Sequence, residues 1–151
     1  MNEKKQSASW NIAATHFLTS GLAIPFILNI IFALVLVLVF GKDFIENNAT
    51  LVVFISILYM IAVTWFSVMY SARYVNKKYI IKDNNEVAKL ATLYFVVILG
   101  GFRIFNLINL PSVTTIEYVG VTGLIFDVIV FYIASKKYLH SSNVSVPQPN
   151  V

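Results

Sequence analysis

Arg103 and Asp127 are the two ionisable side chains that stand deep inside otherwise apolar stretches, so any chemistry within this chain has to start with them. A charge at the centre of a membrane helix costs about 2.5–3.5 kcal/mol on insertion scales. Such residues therefore face a bundle interior, pair with one another, or mark a path for an ion or proton. Asn106 follows Arg103 at a spacing that shares its helix face and can donate to such a pair. Glu117, nearer the outer rim, is a second partner if Arg103 reaches outward. Measured along their helices from the outer ends, Arg103 and Asp127 lie roughly 10 and 14 Å deep at 1.5 Å per residue. An arginine side chain spans that difference, which predicts a buried Arg103–Asp127 pair. A structural ion pair that sets helix register is the preferred reading; the lining of an ion or proton path is the alternative.

The neighbours of these residues suit close helix contact. Gly120 and Gly123 precede Asp127 on nearly the same face, and Gly100 and Gly101 sit within a turn of Arg103. Small residues let helices approach in lipid, so these glycines are expected between the segments carrying the two charges. Met60, Thr64, Ser67 and Ser71 recur at spacings of four, three and four, a small polar stripe that fits an interior face.

Other chemistries lack their residues. There is no cysteine. His16 and His140 fall outside the apolar cores of the spans, so His16 reads as a headgroup contact or helix cap rather than a ligand. No His-x-x-x-His or Glu-x-x-His pattern offers a metal site. No glycine-rich phosphate loop or serine–histidine arrangement is present, so no catalytic residue, cofactor or metal is assigned and an enzyme is disfavoured.

The helices that hold these residues in place can be read from composition. The chain has 151 residues, 58% hydrophobic and 12% charged, with a mean hydropathy of +0.78. Soluble domains run near 25% charged, which excludes a soluble enzyme, a disordered protein and a nucleic-acid binder. Four apolar segments, 22–40, 51–72, 90–110 and 118–135, are each long enough to cross a hydrocarbon core of about 30 Å as a helix. Strands would need alternating polarity, and these runs do not alternate. The expected fold is an all-α integral membrane protein, a four-transmembrane-helix bundle forming one domain over residues 1–140. A short amphipathic helix over residues 7–20 is expected to lie in the interface before the first span, with Trp10, Ala13, Ala14, Phe17 and Gly21 on its apolar side. The alternative is one long helix kinked at Pro25. The middle loop should extend both flanking helices around a turn at Asp83, Asn84 and Asn85, and the tail 141–151 should be disordered.

The basic residues set the orientation. With four spans, Lys4, Lys5, Arg73, Lys77, Lys78, Lys82, Lys89, Lys136 and Lys137 share one face, against Lys42 on the other. Basic residues favour the cytoplasmic side, so both termini are expected there, in a bacterial inner membrane or a plasma membrane. The net charge of +4 is then an anchoring pattern toward anionic lipids, interleaved with Tyr70, Tyr74, Tyr79 and Tyr138, and not a nucleic-acid patch. No soluble domain is left over. The function expected is that of a non-enzymatic membrane subunit, assembly or regulatory factor acting on a protein partner, a second copy of itself, or lipid. The alternative is an oligomeric channel or small transporter using Arg103 and Asp127.

Overall fold

The computed structural model describes residues 4–109 and 115–142, with the side chains of Lys42, Glu46 and 115–119 outside that description. The protein is mostly helical, at 87%. Four long helices, Ser9–Phe40, Ala49–Lys78, Asn84–Ile108 and Thr115–Tyr138, carry nearly all of it. The first three are long and apolar enough to cross a membrane. A short helix, Gly41–Asn47, joins the first two, and Gly41 takes φ 74°, a left-handed backbone that glycine adopts without strain.

The N-terminal segment runs unbroken into the first apolar segment, as in the single-helix alternative. Residues 9–17 and the apolar segment belong to one continuous helix, Ser9–Phe40. Two stretches of the first long helix, Leu18–Ala23 and Leu36–Phe40, widen into π-type turns, and Ile24 N–H reaches back to Thr19 O. The first of these turns precedes Pro25, whose ring would collide with the carbonyl four residues back in a tighter helix. The start of this helix, at the inner end of the bundle, which also holds Tyr79–Ile80 and Ser142, is placed differently from an interfacial helix. Ile12, Ala13, His16, Phe17, Ser20 and Gly21 are buried, whereas Trp10 is 57% exposed. The buried face is thus centred on a stripe that includes two polar residues, and it packs against the three other long helices.

That inner half holds the core. Ile12 and Phe17 meet Val68, Ala72 and Val75 of the second long helix, Val87, Ala88, Ala91 and Phe95 of the third, and Phe131 and Ala134 of the fourth. Gly21 makes room for this. A Cβ there would stand 2.7 Å from the Phe17 ring, and that ring packs edge-on to Phe95 with centroids 6.3 Å apart. The outer half is different. No residue of Ile24–Val35 or of Gly101–Ile108 is buried. What joins the first two long helices there is Phe32 stacked on Tyr59 at 3.8 Å, with Tyr59 Oη donating to Leu28 O at 2.6 Å.

The inner ends are tied by backbone pairing that the helical pattern does not announce. Lys5–Gln6 pairs in parallel with Tyr79–Ile80, so the middle loop holds a short strand where helix was expected. Ser142 N–H donates to Ile81 O at 2.7 Å, which places the start of the tail against the same loop. The rest of the expected disordered tail, 143–151, lies outside the described residues. Asp83 caps the third long helix, its carboxylate accepting from the backbone N–H of Asn85 at 2.8 Å and Glu86 at 3.1 Å. At this level basic side chains lie over aromatic rings: Lys137 over Trp65 at 5.1 Å, Lys78 over Tyr74 at 5.1 Å and Arg73 over Tyr70 at 5.6 Å.

Candidate functional site

A polar seam runs through the inner half of the bundle. At its centre His16 is fully buried, with Nδ1 2.8 Å from Ser71 Oγ and Nε2 3.1 Å from Ser135 Oγ. Ser71 donates its one hydroxyl proton to His16 O at 3.1 Å, and Ser20 donates to the same carbonyl at 2.6 Å. Since Ser71 has no second proton, Nδ1 is the ring donor and Nε2 accepts from Ser135. The imidazole therefore pins three helices together, with Phe131 beside it at 5.8 Å between centroids.

One turn and two turns outward along the second long helix lie Ser67 and Thr64. Thr64 Oγ1 donates to Asp127 Oδ1 at 3.1 Å, and both residues are buried. Ser67 Oγ, between these two bonded groups, is fully buried and has no hydrogen-bond partner among the described residues.

Above Asp127 the seam opens into a cavity of about 500 Å³, lined on its polar side by Asn29, Thr64, Arg103 and Asp127, with Gly21 and Pro25 on the first-helix side. Arg103 and Asp127 thus line one space, as their depths suggested, but they do not pair: Arg103 is exposed, and no ion pair joins the two among the described residues. The guanidinium instead crosses the fourth long helix at Gly120, where a Cβ would lie 3.3 Å from Nη2. That site is seven residues outward of Asp127, about 10 Å along the helix axis. A hydroxyl on the second long helix took the carboxylate, because the second and fourth long helices pack along their length while Arg103 stands on a loosely packed outer stretch.

The remaining expected residues fall in different places. Asn106 is exposed and does not line the cavity. The Glu117 side chain lies outside the described residues. Gly100 is buried and faces Leu124 at 4.0 Å, a contact of the third and fourth helices, whereas a Cβ at Gly101 would meet nothing within 4 Å. Gly123 is buried but faces Met60 of the second long helix at 4.0 Å, not the third. A second, apolar groove of about 590 Å³ lies between the third and fourth helices, with Gly100, Leu124 and Val128 in its walls and Arg103 at its edge.

His16 was the residue that sequence reasoning misplaced. Its signal was present as the stripe Ile12, His16, Ser20, spaced by four, matching Ser67 and Ser71 on the second long helix. Fold and site together define a helical membrane protein with an internal polar seam. The chain matches no protein-family model, no curated protein and no solved structure.

Proposed function

We propose that this chain is a four-span, non-enzymatic membrane subunit, assembly or regulatory factor, whose outer half receives the membrane segment of a partner protein or a second copy. The observation that carries this reading is the packing gradient. The inner half has a complete core, while Ile24–Val35 and Gly101–Ile108 bury nothing and flank a cleft containing Asn29, Arg103 and Asp127. Acyl chains cannot solvate those polar groups, whereas a polar or small-residue face of another helix can. The fourth span is part of the proposal. Thr115–Tyr138, with 24 residues, is about 36 Å long and runs alongside the second long helix. In this proposal both termini face the cytoplasm, in a bacterial inner membrane or a plasma membrane. The pairs Lys137–Trp65, Lys78–Tyr74 and Arg73–Tyr70 support an inner interface facing anionic lipid headgroups.

The test is photocrosslinking in intact membranes from benzoylphenylalanine placed at Phe26 or Phe102, which line the cleft. Both positions should yield the same discrete protein adduct, and Phe66, exposed at 53% on the inner half, should not. Lipid adducts alone from all three positions would remove the docking cleft.

A second reading has its own observation: Arg103 and Asp127 face the cavity without sealing each other. An ion or small-solute path through an oligomer would use that opening. Under this reading Asp127→Asn abolishes a flux that wild-type protein supports in liposomes, and absence of wild-type flux for protons, sodium, potassium and chloride rejects it.

A further inference from the structure

We infer that Asp127, Thr64 and Ser67 form a binding site for a dehydrated monovalent metal cation of sodium size, entered from the outer cavity. The site shares Asp127 and the cavity with the docking reading but is tested apart from it, because a thermal midpoint responds to a cation with no partner protein present.

Three observations converge. The first is an uncompensated carboxylate. Asp127 is 5% exposed, its hydrogen-bond partner is the Thr64 hydroxyl, and no cationic side chain lies within ion-pair distance among the described residues. A carboxylate offers about four acceptor positions, and a buried charge in this setting calls for a counter-charge.

The second is Ser67. Hydroxyls in these helices usually bond back to the carbonyl four residues earlier, as Ser20, Ser56 and Thr92 do at 2.6 to 2.8 Å. Ser67 does not, and its Oγ is left buried and unpartnered. Its place is set from both sides. Thr64 is joined to Asp127 above it, and Ser71 is tied through His16 to Ser135 below it. Thr64 and Ser67 share one helix face, with Cβ atoms about 5–6 Å apart; Thr64 lines the cavity with Asp127, and the Ser67 hydroxyl lies one turn beneath that lining, sealed from it.

The third is Pro25. It brings no N–H to the helical ladder, so one carbonyl in the turn before it loses its donor, and Gly21 and Pro25 line the same cavity as Thr64 and Asp127. Irregular helical backbone at membrane depth is a recurrent source of carbonyl ligands for alkali ions, and the turn before Pro25 is π-type.

The donor set selects the ion. Carboxylate, hydroxyl and carbonyl oxygens are hard ligands. A divalent ion such as calcium recruits several carboxylates, but no group of three or more His, Cys, Asp or Glu gathers among the described residues. One negative charge matches one positive charge. Arg103 lies about 10 Å further out, against Gly120, at the mouth and not in the site.

The experiment uses the full-length protein in detergent micelles, at constant ionic strength, with N-methylglucamine chloride replaced stepwise by the chloride of sodium, lithium or potassium. A ligand that binds only the folded state raises the thermal midpoint with its concentration. Wild-type protein should show this for sodium or lithium. Asp127→Asn should abolish the rise, and Ser67→Ala and Thr64→Val should each demand at least tenfold more cation for the same rise. Ser56→Ala, whose hydroxyl bonds its own helix, should match wild type. If Asp127→Asn does not fold, the Ser67 and Thr64 variants decide the matter by the same tenfold criterion. A wild-type midpoint indifferent to all three cations overturns the site. So does a midpoint that follows pH alone, or a cation response unchanged in Ser67→Ala.

Discussion

His16 shows how much one side chain can hold in a bundle of this size. Its ring bridges Ser71 and Ser135, and its carbonyl accepts from Ser71 and Ser20, so removing the imidazole strands the Ser135 hydroxyl on the fourth long helix and takes a donor from Ser71 on the second. A buried polar group left without a partner costs about 1–3 kcal/mol, and a cavity adds to that. His16→Ala should therefore lower stability by about 2–4 kcal/mol, read as a fall in thermal midpoint in detergent. The glycines give a sharper comparison. Gly21→Ala puts a methyl 2.7 Å from the Phe17 ring, whereas at Gly101 the same methyl meets nothing within 4 Å. Overpacking of that kind costs about 1–3 kcal/mol, so Gly21→Ala should lower the midpoint and Gly101→Ala should leave it unchanged or slightly raised. At this scale the sequence was half legible. Arg103 and Asp127 stood out because a charge in an apolar run is visible without neighbours. Their separation did not, because it depends on Thr64 arriving first from another helix.

Among the elements, the long apolar stretches were readable because their length and lack of alternation admit one backbone solution in lipid. The junction before the first of them was not. A periodic face built from Trp10, Ala13 and Phe17 suggested a helix resting on a surface, yet the buried stripe is turned toward Ile12, His16 and Ser20. Polar residues at core positions defeat a rule that sorts faces by hydropathy. Nor does any local pattern announce the π-type turn at Leu36–Phe40, whereas the one at Leu18–Ala23 goes with Pro25. Two isoleucines on this helix separate the alternatives. Ile12 is 1% exposed and Ile27 is 57% exposed. Ile12→Ala should cost about 2–4 kcal/mol, measured by denaturation in mixed micelles, and Ile27→Ala less than about 1 kcal/mol. Equal, small effects would return the N-terminal segment to the membrane surface.

For the whole molecule, the proposed orientation places Asn47 outside and Lys82 inside. The chain has no native cysteine, so Asn47→Cys and Lys82→Cys can be made singly and labelled with an impermeant maleimide. Asn47→Cys should react in intact cells, and Lys82→Cys only after permeabilisation; the reverse pattern would invert the topology. Tertiary pairing at the inner ends could not be read in advance, since two residues of strand carry no period. That pairing nonetheless has a consequence for connectivity. Lys5–Gln6 joins Tyr79–Ile80, and His16 joins Ser71 and Ser135, so the first long helix is held to the remainder by bonds far from the covalent link at Gly41–Asn47. The outer linker is then a tether rather than a hinge of the architecture. Two polypeptides, 1–47 and 48–151, expressed separately in one cell, should find each other and co-purify as a single complementing pair.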